Sequence, residues 1–144
     1  GQTMRDNRPR AWYKPLGVMI PPEKVESINF ETKVIGVYLE MDGRGYHKLR
    51  LSDFILMWPT HLSDRSGKEI YEGDIVREHA AGIHFDPDDY TIKVVEWWAF
   101  GWMPFARVIG GKMHDHAVMI RSYVVIGNIY EHPHLLGEKG EGQG

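Results

Sequence analysis

The side chains best suited to chemistry lie in three short clusters. His114-Asp115-His116 sets two imidazoles one residue apart. Alternate residues of an extended chain point to the same side, so the pair could share a transition metal. Asp86-Pro87-Asp88-Asp89 gathers carboxylates suited to a hard cation, yet it lacks the glycine, the spacing and the closing Glu of an EF-hand loop. Glu69, Glu72 and Asp74 crowd a third stretch. Each cluster has a plainer reading. A metal centre needs three or four convergent ligands and groups that orient them. His114 and His116 therefore stand as weak metal candidates in a hydrated loop, and no cofactor is expected. The acidic turns are read as Asp side chains bonding their own backbone, with Asp74 accepting N–H bonds across a bend at Gly73.

Catalytic signatures are missing from the sequence. The chain has no cysteine, which removes thiol catalysis, disulfides and Cys-zinc sites together. It has no Gly-x-Ser-x-Gly, no phosphate-cradling Gly-rich loop, no His-Glu-x-x-His and no dinucleotide fingerprint. A non-enzymatic protein is the expectation.

Binding chemistry is better represented. Trp97, Trp98, Phe100, Trp102 and Phe105 form an aromatic centre with Arg107 close by in sequence. Exposed, such residues stack bases or grip a protein surface; buried, they fill a core. Residues 1–59 carry nine Lys and Arg against seven Asp and Glu, and residues 60–144 carry eight against thirteen. Only Arg107 and Lys112 accompany the aromatic cluster closely, which is thin support for a phosphate backbone. The binding candidates are Trp97, Trp98, Phe100, Trp102 and Arg107. Their expected partner is a protein, with self-association into a homo-oligomer, and single-stranded nucleic acid is the less favoured alternative.

The elements that must position these residues are short strands. The 144 residues include 16 Gly and 8 Pro among plentiful Val, Ile, Tyr, Trp and Phe, the composition of many strands joined by turns. Asp42-Gly43 supplies the positive φ of a tight hairpin between strands at 32–41 and 46–51, and Gly36 is read as a bulge marker. The apolar run Phe54 to Trp58 is read as a strand ended by Pro59. Asp64-Arg65-Ser66-Gly67 and Glu72-Gly73-Asp74 are two turns around a short apolar run, and Ile75-Val76 then enters a strand. Tyr90 to Trp98 reads as one long strand, 118–120 and 123–126 as two more, and His132 to Leu136 as a short helix behind Pro133.

The organisation that follows is a flexible lead-in over 1–9, a mixed β-rich portion over 10–59, a small SH3-like β-barrel over 60–136 and a disordered tail over 137–144. The fold class is mainly β, with α+β as the alternative. No apolar run reaches the roughly 18 residues of a membrane span, and no signal-peptide pattern opens the chain. A cytoplasmic protein without a membrane partner is expected.

The stretch Thr60-His61-Leu62-Ser63-Asp64-Arg65-Ser66-Gly67-Lys68-Glu69-Ile70-Tyr71-Glu72-Gly73-Asp74-Ile75-Val76 closely resembles the signature of the YopX family of phage and prophage proteins. That signature reads Thr-Gly-Leu-x-Asp-x-x-Gly-Lys-Glu-Ile-Tyr-Glu-Gly-Asp-Ile-Val. Arg10-Ala11-Trp12-Tyr13 resembles the family's opening Arg-Ala-Trp-Asp. Val125-Ile126-Gly127-Asn128-Ile129-Tyr130-Glu131-His132-Pro133-His134-Leu135-Leu136 resembles its closing Val-Ile-Gly-Asn-Ile-Tyr-Glu-Asn-Pro-Glu-Leu-Leu. The matching positions Asp64, Gly67, Tyr71, Gly73, Asp74, Gly127 and Asn128 are taken as the structural signature. The chain departs at His61, where Gly is usual and a differently shaped turn is expected, and at Tyr13, where Asp is usual. The resemblance implies a phage or prophage origin in a bacterial host and carries no activity.

Overall fold

The computed structural model describes residues 7–80, 86–99, 101–109, 112–115 and 122–137. Its contacts divide the chain into two units, Gly1–Pro59 and Thr60–Gly144.

In the first unit, β1 (Arg10–Tyr13) lies between β2 (Val18–Ile20) and β6 (Phe54–Met57), both antiparallel to it. A second sheet orders β3 (Val25–Asn29), β4 (Val34–Met41) and β5 (Arg44–Arg50). The β4–β5 hairpin turns on Asp42 at φ 55° and Gly43 at φ 75°, the paired left-handed residues of a tight two-residue loop. Alternation along β1 turns Ala11 and Tyr13 inward. They pack with Ile20 and Phe54 of the same sheet and with Val25, Ile35 and Val37 of the other, so the two sheets share one core. The Tyr13 and Phe54 rings meet at 4.8 Å. A fully buried side chain such as Ile35 contributes roughly 1.5–3 kcal/mol. The Gly36 bulge is real but sits on the facing strand: Val25 pairs with Val37 and Ser27 with Gly36, leaving Glu26 as the extra residue.

The second unit begins within β7 (Pro59–Ser63) and continues through β8 (Glu69–Tyr71), β9 (Asp74–His79), β10 (Tyr90–Val94), β11 (Glu96–Trp98), β12 (Gly101–Met103), β13 (Ala106–Ile109), β14 (Lys112–Asp115) and β15 (Tyr123–Asn128). Strand β9 is flanked by β10 and β15, while β7–β8, β11–β12 and β13–β14 are separate two-stranded ribbons. Ile70, Val76, Val95, Phe105 and Tyr123 form its core, with the Phe105 and Tyr123 rings edge to face at 4.8 Å.

This arrangement overturns the expected SH3-like β-barrel. Among the described residues no sheet closes on itself, because the sheet order stops at β10 on one side and β15 on the other. The reason is visible at β15, whose outer edge is occupied by a turn. Arg65 N donates to Tyr123 O at 2.9 Å, and the Asp64 carboxylate accepts Val125 N at 2.8 Å. A side chain and a loop amide satisfy groups that a further barrel strand would have needed. The fold is mainly β, and the described residues contain 3-10 turns but no α-helix. One of these, Pro133–Gly137, stands where a short helix was expected.

Three smaller expectations also change. The long strand at 90–98 breaks at Val95, whose N–H donates to Asp74 O and whose carbonyl accepts from Gly73 N, each at 2.8 Å. Strict alternation would group Val95 with exposed Thr91 and Lys93, and the break lets it turn into the core. His114 stands in β14, paired through the backbone with Arg107, and not in a loop. Pro59 opens β7 instead of simply ending the preceding strand. The strand expected at 118–120 lies outside the described residues, as do most of the lead-in and nearly all of the tail.

Candidate interaction surface

The exposed aromatic residues of the second unit are gathered on the β11–β12 ribbon. Glu96, Trp97 and Trp98 are all exposed, the two tryptophans by 56% and 62%. Trp97 stands opposite Trp102, and their rings meet edge to face at 5.2 Å; Trp98 stands opposite Gly101. Such an aromatic pair across a ribbon adds about 0.5–1.5 kcal/mol beyond the area it buries, which helps a two-stranded element keep its register. Gly101 is buried, and a Cβ there would lie 2.8 Å from the Ala106 Cβ, so the ribbon's backbone approaches β13 closely.

Both ends of the ribbon are fixed. Before it stands Val95, bonded to the Gly73-Asp74 bend; after it stands Phe105, 1% exposed, whose N–H donates to Trp102 O at 3.0 Å. The aromatic centre of the sequence is therefore divided: Phe105 is core, Trp102 is half-buried, and Trp97 and Trp98 face solvent. Phe100 lies outside the described residues, and Arg107 is placed by its backbone in β13.

The Asp64 to Gly67 and Tyr71 to Asp74 turns form the frame behind this ribbon. Asp64 is buried, and its Oδ1 accepts from Ser66 N, Ser66 Oγ and Lys68 N at 2.8–2.9 Å while Oδ2 holds Val125 N. Burial works against its charge, but the hydrogen bonds from Val125, Ser66 and Lys68 outweigh it and hold the carboxyl below the ordinary aspartate range. Gly67 closes the turn at φ 92°. Asp74 Oδ2 accepts Tyr71 N at 2.8 Å across Gly73, which sits at φ 87° and whose carbonyl accepts Ile129 N. Asn128 caps the last turn through Tyr130 N and Glu131 N, and Gly127 has no space for a side chain because a Cβ would lie 2.6 Å from His132 Nδ1. His61 takes φ 66°, the left-handed conformation that glycine enters at least cost.

Among the described residues no group of three or more His, Asp or Glu is placed to hold a metal ion, and no helix is long and apolar enough to cross a membrane. His114 has its backbone in β14, and His116 lies outside the described residues. The sequence reading gave no weight to Glu26, which accepts from Ser27 Oγ at 2.7 Å and Tyr46 Oη at 2.8 Å over the space left by Gly36. The bonds from Ser27 and Tyr46 hold Glu26 below the usual carboxylate range, and the bond to Glu26 raises the Tyr46 phenol. Gly36 was the one signal in the sequence for this cluster.

Residues 10–137 match the YopX protein family. The chain belongs to the YopX family. The match covers both units, and with it comes the phage and prophage association of that family. A solved structure, protein EF1440 from Enterococcus faecalis, is similar to this YopX chain with a TM-score of 0.57 and 21% identity, over 90% of this chain and 97% of that one. At that identity the likeness is one of fold. No curated protein sequence matches the chain significantly.

Proposed function

We propose that this YopX-family chain is a non-catalytic binding module that holds a protein partner, a second copy of itself included, through the β11–β12 ribbon. The observation that carries the reading is the exposure of Trp97 and Trp98 by 56% and 62% on an element whose two ends are anchored in the core. A tryptophan offers about 150–250 Å². The pair thus leaves roughly 200 Å² in water, worth about 5 kcal/mol of burial at ~25 cal/mol per Å². Rigid, solvated aromatic area of this kind is what interface hot spots are made of. A protein partner is favoured over single-stranded nucleic acid because Glu96 lies exposed beside the tryptophans and residues 60–144 carry eight Lys and Arg against thirteen Asp and Glu. The reading includes action in the cytoplasm of a bacterial host, which rests on the family's phage association.

The test pairs the full chain with its Trp97→Ala/Trp98→Ala variant in pull-downs from bacterial host lysate, with and without nuclease, beside sedimentation of both proteins. A stoichiometric protein, or self-association, that survives nuclease and is lost in the variant supports the reading. Binding lost on nuclease treatment replaces the protein with nucleic acid, and binding retained by the variant removes the ribbon from the account.

A further inference from the structure

The first unit carries a second surface, independent of the tryptophan ribbon, on the outer face of the β3–β4–β5 sheet. Ile35 and Val37 point into the core, so Val34, Gly36 and Tyr38 point the other way, and the register sets Arg50, Lys48 and Tyr46 opposite them. Tyr46 does not stand off this face. Its hydroxyl would lie 2.4 Å from a Cβ on Gly36, one strand away, and it donates to Glu26 Oε1 on the next strand at 2.8 Å. The ring therefore lies across the sheet, half-buried, with one side turned to solvent. Tyr38, 49% exposed, stands beside it with the ring centroids 5.1 Å apart and the planes tilted by 51°. Ser27 Oγ also donates to Glu26 Oε1, at 2.7 Å, and among the described residues no donor occupies Oε2 of this exposed side chain. Strand β5 adds charge. Arg44, Lys48 and Arg50 share the face of Tyr46 by alternation and are all exposed, at intervals of roughly 13 and 7 Å along the strand. Of the two carboxylates in the three strands, Glu26 shares that face and Glu40 lies on the other, against Gly45. Arg50 also reaches Asp53 at 3.5 Å, a loose surface pair since the Arg50 side chain is 80% exposed.

We propose that this face binds single-stranded nucleic acid, with a base stacked on the Tyr46 ring beside Tyr38 and the phosphates following Arg44, Lys48 and Arg50 along β5. A fixed aromatic face flanked by a row of cations is what a single strand needs, because every base has a flat π surface and every link a negative charge. A duplex hides its base faces and cannot use the platform. A neutral sugar could stack on a tyrosine but would leave the three cations without a role. Glu26 adds a preference among bases. Its Oε2 accepts from the amino group of cytosine, whereas the same position in thymine carries an acceptor oxygen that the carboxylate repels.

The experiment measures the fluorescence anisotropy of labelled oligo-dC, oligo-dT and oligo-rC, each of about eight residues, with the full chain across a series of salt concentrations. Saturable binding that weakens with salt is expected, with oligo-dC held about threefold or more tighter than oligo-dT. The tighter of oligo-dC and oligo-rC names the source of the strand. Tyr38→Leu, checked by circular dichroism to be folded, should weaken binding about fivefold or more, the value of a lost stacking contact. Arg44→Gln with Lys48→Gln should flatten the salt slope by about 1.4, roughly 0.7 for each phosphate. Glu26→Gln sets an amide donor where Oε2 now accepts, so the preference for oligo-dC should vanish or reverse. Trp97→Ala/Trp98→Ala should bind oligo-dC as the parent does, which keeps this site separable from the ribbon. Failure to saturate into the millimolar range, affinity indifferent to salt, full binding by folded Tyr38→Leu or an intact cytosine preference in Glu26→Gln would each overturn the proposal. Loss of oligonucleotide binding in the tryptophan variant would overturn it as well.

Discussion

Asp64→Asn is the substitution that most directly probes the frame. Asn keeps one carbonyl oxygen, which can stand in for Oδ1 and go on accepting from Ser66 and Lys68. It puts an NH2 where Oδ2 now accepts Val125 N, so two donors face each other at a buried position. A hydrogen bond to a charged group contributes about 1.5–3 kcal/mol, and a buried N–H left without an acceptor costs about 1–3 kcal/mol, so the substitution should cost about 2–3 kcal/mol. For a unit of this size that is a fall in Tm of roughly 10–20 °C. The pH dependence supplies a second test. Because Asp64 titrates below its ordinary value of 3.8 when folded, its contribution is fully present above that value and is lost as pH falls through the lower folded value. The gap between the two proteins, measured by calorimetry, should therefore be full at neutral pH and close in acid. Amide exchange should place the added opening at Val125. A variant melting within a degree or two of the parent at neutral pH would refute the role given to the Asp64–Val125 bond, and so would a gap that ignores pH.

Gly73→Val should destabilise by at least about 1 kcal/mol, because it forces a β-branched residue to φ 87°; an unchanged Tm refutes the turn. His61→Gly should stabilise by up to about 1 kcal/mol by relieving a left-handed non-glycine residue, and a fall in denaturation midpoint would show that His61 contacts outweigh the backbone cost. Trp97→Ala/Trp98→Ala should lower Tm by roughly 2–12 °C, the loss of the about 0.5–1.5 kcal/mol of the Trp97–Trp102 contact, while weakening partner binding tenfold or more, and a larger loss of stability would make the pair core residues. Gly36→Ala brings a Cβ to 2.4 Å from the Tyr46 hydroxyl and should separate it from Glu26; NMR titration should then find the Tyr46 pKa falling back toward 10.0, and an unmoved value refutes the contact.

What was legible in the sequence is what is decided locally. Asp42-Gly43 names its hairpin because positive φ is a property of those two residues, and the turn at Asp64 to Gly67 likewise carries its own acceptor and its own left-handed glycine. The phage family was legible for the same reason, since its signature is a run of such turns. Closure was not. Whether β15 meets another strand depends on Asp64, 61 residues earlier, and no period of hydrophobicity records that a carboxylate takes the place of a strand. The aromatic stretch was undecidable for a related reason. Phe105 goes inward and Trp97 and Trp98 outward because the chain breaks at Val95, and the break is made by the distant backbone of Gly73 and Asp74.

That last bond joins the two halves of the problem. Exposed tryptophans on a loose ribbon would collapse onto the nearest apolar surface, so display requires rigid ends. One end is Val95, held in the core by the Gly73-Asp74 bend; the other is Phe105, packed on Tyr123, which β15 carries and Asp64 and Arg65 brace. The turn residues that resemble a purely structural signature therefore set the presentation of the ribbon as well as the stability of the unit. Asp64→Asn and Gly73→Val should then weaken partner binding even under conditions where the unit remains folded, whereas a surface change such as Lys93→Gln, at an exposed position of β10, should not. Full binding by folded Gly73→Val protein would break the link between frame and ribbon and leave the tryptophans to act alone.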